Sequence, residues 1–282
     1  MLQRANHRTN KQFTLPLNMP MKVAALNSGS NGNCYWFGAG EEAILVDAGL
    51  SCKEMEKRMD RMGIRMDQVR ALLITHEHSD HVFGIRGLMK KYDIELYVTR
   101  STWMAAGISL DKGRIIHFTS PGRLAIGGFE VRPFRTRHDA ADPHGFLVSH
   151  CGTTAGVFTD IGVACPRVKK HFAECHLAFL ECNYEEEMLE NGPYPRILKD
   201  RIRGGLGHLS NRQAMELLRD HRHPGLKHAF LAHMSKENNS PEQALKWFDG
   251  FSARLSIEVA GRYGETRVVE VTSGTGDQLS LF

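Results

Sequence analysis

Three histidines and an aspartate stand within six residues in the segment Thr75-His76-Glu77-His78-Ser79-Asp80-His81. A lone histidine after an apolar run is usually a satisfied structural residue. Four imidazole and carboxylate groups at this spacing form a metal-ligand set, one that suits zinc, manganese or iron without choosing among them. One short loop cannot surround two ions, so any further ligands come from distant parts of the chain. A recurring context says where to look. Asp47, His76, Asp160, Glu181 and His233 each stand at or just after the end of a short apolar run. Polar residues at strand ends of α/β proteins collect along one edge of a sheet, where ligands bind.

The runs that would carry these residues read as buried strands. Ala43 to Val46 stops at Asp47, Ala71 to Ile74 leads into Thr75-His76, and Val157 to Thr159 closes on Asp160. Leu177 to Leu180 closes on Glu181, and Ala229 to Ala232 on His233. Between them lie helical patterns. Met55, Met59 and Met62 recur at helical spacing behind Ser51, and Ile85 to Lys91 suggests a second helix. Ser210 caps a run from Asn211 to about Arg219, and Ser240-Pro241-Glu242 is a strong helix start. Further strands are expected at Met21 to Leu26, Cys34 to Phe37, Glu95 to Val98, in the Gly- and Pro-punctuated stretch from Ile115 to Val148, and at Val268 to Val271. No internal repeat and no long linker interrupts this order, so one layered α/β domain is expected over residues 21–271. The loop Asn27-Ser28-Gly29-Ser30-Asn31-Gly32-Asn33 is a dense turn signal. Its Ser28, Asn31 and Asn33 are candidate substrate contacts, since such a loop can present backbone N–H groups to a phosphate.

The 282 residues carry a net charge of +4, which permits an anionic partner without demanding one. Arg132, Arg135 and Arg137 crowd one stretch and Arg196, Lys199, Arg201 and Arg203 another, both candidates for a phosphate-rich lining. Six cysteines with no C-x-x-C pair read as reduced thiols of a cytoplasmic protein rather than a disulfide or zinc-finger framework. No apolar stretch approaches the roughly 20 residues that span a bilayer. Residues 1–20 are polar, lack the pattern of a signal peptide and read as a disordered extension, with Met19 or Met21 as a possible true start.

H-x-H-x-D-H after a strand, with an upstream strand ending in Asp, resembles the metallo-β-lactamase superfamily. That resemblance implies an αββα sandwich in a single domain and two divalent metal ions. It places His76, His78 and a later histidine, His138, on one ion, and Asp80, His81 and His233 on the other, with Asp160 shared. Asp47 is then a structural brace for the metal loop. His208 in Gly207-His208-Leu209-Ser210-Asn211 resembles the extra histidine of the phosphodiesterase branch, and Glu181 its carboxylate partner, a pair that lactamases lack. More closely, the chain is similar to the bacterial YycJ/WalJ/VicX group of DNA exonucleases over nearly all of residues 22–250. The likeness rests on Leu26 to Cys34, Val46 to Gly49, the metal loop, His138 to Pro143, Asn191 to Pro195, Gly207 to Asn211 and His233 to Asn239. Only 47 residues separate Asp160 from His208, too few for a large inserted cap or a long RNA-gripping arm. The resemblance implies phosphodiester hydrolysis by a metal-activated water, with Asp80, Glu181 and His208 in the catalytic machinery and His208 as general acid.

Three functions compete: a nuclease acting on DNA, a hydrolase of small phosphodiesters or thioesters, and a non-catalytic metal-binding scaffold. Filled ligand positions argue against the scaffold. The end of the chain separates the other two. Gln278-Leu279-Ser280-Leu281-Phe282 matches the pentapeptide by which bacterial replication and repair proteins dock on the DNA polymerase sliding clamp, with Gln278, Leu279, Leu281 and Phe282 as its contacts. Thr272 to Asp277 before it has the composition of a flexible tether. A small-molecule hydrolase has no use for such a tether, so a DNA exonuclease in replication-linked repair is the expectation.

Overall fold

The computed structural model describes residues 19–110, 114–251 and 255–273. Most of the expected extension (residues 1–18) and the clamp-like pentapeptide therefore lie outside the described residues. The first sheet contains β1 (Lys22–Asn27), β2 (Cys34–Ala39), β3 (Glu42–Val46), β4 (Val69–Leu73), β5 (Glu95–Val98) and β6 (Arg114–His117). The second contains β7 (Leu124–Ile126), β8 (Phe129–Arg135), β9 (His144–His150), β10 (Thr153–Phe158), β11 (Leu177–Glu181), β12 (His228–Ala232) and β13 (Ser256–Val259). A last strand, β14 (Val269–Glu270), returns to pair with β1 and completes the first sheet.

The strand orders are β14-β1-β2-β3-β4-β5-β6 and β13-β12-β11-β10-β9-β8-β7. From β14 and from β7 inward, each sheet makes three antiparallel pairings and then three parallel ones. The sequence carries no repeat, yet the topology does, and β3 in one sheet corresponds to β10 in the other.

Alternation along the strands builds the layers. Ile44 and Val46 of β3 and Leu177 and Phe179 of β11 face inward and meet between the sheets, beside Tyr35, Phe37, Phe146 and Phe230. The other faces of the same strands, Leu45 and Leu180 among them, pack outward under helices. Over the first sheet lie α1 (Cys52–Arg61), α2 (Ser79–Val82), α3 (Ile85–Lys91) and α4 (Arg100–Ala106). The rest of the helices are α5 (Pro166–Phe172), α6 (Glu186–Asn191), α7 (Arg196–Arg203), α8 (Asn211–His221) and α9 (Pro241–Lys246). Met55, Leu88 and Met89 fill the first outer layer; Val168, Phe172, Leu217 and Ala244 fill the second. The αββα sandwich expected from the sequence is the observed fold.

Ser51, Ser210 and Ser240 each cap a helix through their side chains, as their positions suggest, and Ser210 closes a capping box with Gln213. The sequence reading missed α4, α5, α6 and α7. Helix α7 starts from Pro195, its N-cap. Met21 is fully buried in the inner core, and the Met19 carbonyl accepts a hydrogen bond from His150 Nε2 at 3.1 Å. The six cysteines are free thiols, and no helix among the described residues is long and apolar enough to cross a membrane.

Candidate metal centre

The ends of β3, β4, β10, β11 and β12 open on one edge of the sandwich, and there the strand-terminal residues meet. Asp47, Asp160 and His233 all leave their strands with positive φ, at 62°, 57° and 52°. That left-handed conformation is uncommon outside glycine, although Asp and His tolerate it better than most residues. Asp47 after β3 and Asp160 after β10 thus make the same turn at corresponding places in the two sheets. Such strained residues gather where a surrounding structure over-determines them, commonly at functional sites.

Asp47 is fully buried and ties the loop together. It accepts from the Thr75 backbone N–H at 2.8 Å, from Thr75 Oγ1 at 2.9 Å and from His81 Nδ1 at 2.7 Å. With Nδ1 thus occupied, His81 turns Nε2 toward Asp80 and Asp160, 3.4 and 3.3 Å away. His138 is held the same way: Nδ1 donates to the Gly207 carbonyl at 3.0 Å, leaving Nε2 to face His78 Nδ1 at 3.4 Å. Fixing one ring nitrogen to aim the other is the usual support of a ligating imidazole. His76 Nε2 lies 3.0 Å from His78 Nδ1, and His233 Nε2 lies 3.5 Å from both Asp80 and Asp160.

Among the described residues four overlapping sets of side chains present ligand atoms within 4.8 Å of one another: His76, His78 and His138; Asp80, His81 and His233; His76, His81 and Asp160; and Asp160, Glu181, His208 and His233. Asp160 also approaches residues of the first two. The side chains that the resemblance implied as ligands thus lie close together, and the first two sets match its groupings. Their chemistry fits divalent cations. Asp160 is buried, and its Oδ2 accepts no well-formed hydrogen bond, with His81 Nε2 3.3 Å away, an expensive state for a carboxylate unless positive charge faces it. Burial alone would depress the His81 and His233 imidazoles. The carboxylates around them outweigh that effect, holding His81 well above its usual range and raising His233 to about 10. Protons on these rings supply positive charge that metal ions can supply instead. His76 is the contrast: burial, with His81 beside it, pushes it well below the usual histidine range, as suits a neutral ligand.

His208 stands at the rim. Its Nδ1 donates to Glu181 Oε1 at 2.7 Å. Glu181 is fully buried and anchored at Oε2 by the backbone N–H groups of Ile161 and Leu209 at 2.8 and 3.2 Å. Burial would raise the Glu181 carboxyl, but His208 and His233 outweigh it and hold the group ionised. A cavity of about 360 Å³ opens over this edge, lined by His78, Asp80, His138, Asp160, His208 and His233, with Tyr194, Leu198 and Arg201 of the α7 region opposite.

Other candidates have different jobs. Ser28 is buried; its Oγ contacts Tyr35 Oη at 2.8 Å and accepts from the His233 backbone N–H at 2.7 Å. Asn33 is also buried, with Nδ2 3.2 Å from Asp80 Oδ2 and 3.1 Å from His81 Nε2. Both position the cluster instead of lying open to a substrate, and Asn31 donates to the Arg262 carbonyl at 2.6 Å. Much of the basic lining is internally neutralised. Arg132 pairs with Glu174, Arg135 with Asp142, and Arg201 with Asp139. Arg196 and Arg203 pair with Glu190 and Asp200.

The sequence reading did not single out Gly49 as a site residue. An added Cβ there would stand 1.8 Å from the Asp80 carbonyl oxygen and 2.4 Å from the Asn33 nitrogen. Only glycine allows the β3 end to lie this close to the metal loop, which is stitched to it by Asn33 N–H to Asp80 O at 2.7 Å and Ala48 N–H to His81 O at 2.8 Å. Gly49→Ala is expected to cost about 1–3 kcal/mol as an overpacking substitution and to lower metal content by displacing Asp80. Thermal denaturation and metal analysis of the purified variant check both. Full metal retention with unchanged melting would show that the loop yields freely.

Comparison with known proteins agrees with this geometry. Residues 28–166 match the family model of the metallo-beta-lactamase superfamily. Exodeoxyribonuclease YycJ of Bacillus anthracis is 35% identical over 231 residues, 80% of this chain and 87% of that one. Exodeoxyribonuclease WalJ of Streptococcus pneumoniae is 33% identical over 228 residues, 79% and 85% of the two chains. The crystal structure of YhfI from Bacillus subtilis, described as a metallo-beta-lactamase fold protein, superposes with a TM-score of 0.69 over 88% of this chain and all of the other, at 16% identity.

Proposed function

Because the chain belongs to the metallo-beta-lactamase superfamily, in the group that holds the YycJ and WalJ exodeoxyribonucleases, we propose that it is a two-metal phosphodiesterase that degrades DNA from an end. It is a metal-dependent hydrolase; the choice of substrate, the ion count and a place in replication-linked repair are the proposal. The observation that carries it is the His208–Glu181 pair at 2.7 Å on the rim of the ligand cluster. A ligand cluster alone serves many hydrolytic reactions, whereas an oriented imidazole beside it serves a leaving group that needs a proton.

His76, His78 and His138 would hold one ion and Asp80, His81 and His233 the other, with Asp160 between them. Zinc or manganese, or else iron, would supply Lewis acidity toward a phosphoryl oxygen and a nucleophile at neutral pH. The chain's own residues do the rest. Glu181 orients the His208 ring by accepting from Nδ1, and in the imidazolium form the ring's second proton, on Nε2, is the one given to the departing sugar oxygen, leaving a neutral imidazole. Asp47 and the Gly207 carbonyl hold His81 and His138 in place. The α7 segment walls one side of the cavity and narrows the approach of water and substrate.

End-labelled single- and double-stranded DNA and RNA, incubated with the protein loaded with Mn²⁺ or Zn²⁺, should show stepwise loss of nucleotides from DNA. Hydrolysis of a thioester with none of any oligonucleotide would replace this reading with that of a small-molecule hydrolase.

The partner reading rests on Gln278 to Phe282. An extended peptide ending in Leu281-Phe282 offers two apolar side chains to a groove and Gln278 a polar contact. Affinity should be modest, as for short peptide motifs that bury little surface. A short tether can still hold an enzyme near clamp-threaded DNA at effective concentrations on the order of millimolar. Removing Gln278 to Phe282, or changing Leu281→Ala with Phe282→Ala, should abolish binding to purified sliding clamp while sparing cleavage of a short free oligonucleotide. An intact protein that shows no clamp binding up to high micromolar concentration in calorimetry would end the partner assignment.

A further inference from the structure

Two depressions meet at the metal cluster. One is the cavity that holds His208; the other, about 370 Å³, is floored by Gly49 and Leu50, with Phe83 among its lining residues. Ser30, Ser79 and Asp80 line both, so the two form one trough that runs through the cluster and on past Asp80. Phe83 is 69% exposed, a large aromatic ring left in water beside the chemistry. Phe83 and Gly84 both keep right-handed backbone angles and join α2 directly to α3. Phe83, Arg86 and Lys90 then stand at i, i+3 and i+7 on one exposed face, while Val82, Ile85, Leu88 and Met89 are buried beneath them. Among the described residues neither Arg86 nor Lys90 has an ion-pair partner. That distinguishes them from the paired arginines of α7. Arg86 and Lys90 lie beyond the lining of this depression, whose charged residues are Asp80 and Glu54, the latter paired with Arg58 at 2.8 Å.

An open aromatic face followed by unpaired cations along one line is the pattern that holds a single strand: bases stack on the ring and phosphates follow the charges. We infer that the Phe83 end of the trough is a nucleobase subsite for single-stranded DNA, with Arg86 and Lys90 taking the phosphates beyond it. This rests on the nuclease reading and deepens it. His208 serves the leaving side of the scissile bond from one end of the trough, and Phe83 grips the strand at the other. Stacking is indifferent to base identity, so the subsite confers grip without sequence preference.

The test compares Phe83→Ala, Phe83→Trp and the wild type on two substrates, a single-stranded oligonucleotide and bis(p-nitrophenyl) phosphate. Phe83→Ala should raise the KM for the oligonucleotide about tenfold and change that for the small diester far less, because the latter has no strand to run on toward Arg86 and Lys90. Phe83→Trp should restore the wild-type KM. Arg86→Ala and Lys90→Ala should each flatten the dependence of log KM on log salt by about 0.7. An oligonucleotide KM unchanged in Phe83→Ala overturns the subsite and leaves the nuclease reading standing. Equal losses on both substrates overturn it too, since they mark a disturbed metal loop instead of a lost base contact. A wild-type protein that hydrolyses the small diester but neither binds nor cleaves the oligonucleotide overturns the nuclease reading and the subsite with it.

Discussion

Asp80→Ala is expected to lose metal and phosphodiester hydrolysis together, and His78→Ala to do the same. Each side chain belongs to one of the groupings that could hold an ion. Asp80 lies 3.4 Å from His81 Nε2 and 3.5 Å from His233 Nε2. Burial would favour its neutral acid, yet these imidazoles hold it ionised, well below the ordinary carboxylate range. Removing that charge leaves His81 and His233 facing a gap. The loss in metal affinity should exceed the roughly 10–100-fold typical when only a ligand's supporting partner is removed. Asp47→Asn supplies that milder case, because Asp47 braces His81 without belonging to any of these groupings. His150→Ala is the control: His150 bonds the Gly128 and Met19 carbonyls away from the cluster and should keep metal and activity. Metal analysis beside hydrolysis of bis(p-nitrophenyl) phosphate decides the matter. Full metal content and full activity in both Asp80→Ala and His78→Ala would remove the basis for a metallohydrolase.

His208→Ala should behave differently, keeping its metal while turnover on DNA falls by about 10²–10⁴-fold, the usual worth of a general acid. The defect should shrink on a p-nitrophenyl ester, whose leaving group departs without a proton. His208 Nδ1 also lies 3.8 Å from Asp160 Oδ1, so ligation is the rival role, and metal content separates the two. A variant that loses metal makes His208 a ligand. One that keeps metal but loses equally on both substrates rules out leaving-group protonation. Glu181→Gln should slow turnover in the same direction as His208→Ala, because an amide cannot hold the His208 ring as the carboxylate does.

Much of this centre could be read from the chain because each contributor stands at a strand end, and strand ends are visible as apolar runs that stop. His76, Asp160 and His233 needed no knowledge of contacts, only that parallel strands finish along a common edge. The Ser28 to Asn33 loop was misjudged for the opposite reason. Its polarity looked like an offer to solvent, but Ser28 and Asn33 are spent inside the cluster's support. Charge was similarly deceptive. Arg201 and Arg135 looked available until folding brought Asp139 and Asp142 beside them. Helix α7 was passed over although Leu198 and Ile202 recur at helical spacing in it, and in the fold it has no fully buried residue. The need for glycine at position 49 arises from a backbone approach between segments some thirty residues apart, which local pattern does not encode.

The left-handed turns at Asp47, Asp160 and His233 bear on how such a gene can change over time. Each non-glycine residue held in that conformation costs roughly 1 kcal/mol relative to a relaxed backbone, a sizeable share of the 5–15 kcal/mol that keeps a typical domain folded. Glycine relieves that local strain and removes the candidate ligand or brace in the same step. In a copy released from selection for hydrolysis, these three codons should be among the early sites of drift, and toward glycine or asparagine. Screening libraries at these positions for heat resistance alone should therefore enrich folded but inactive proteins.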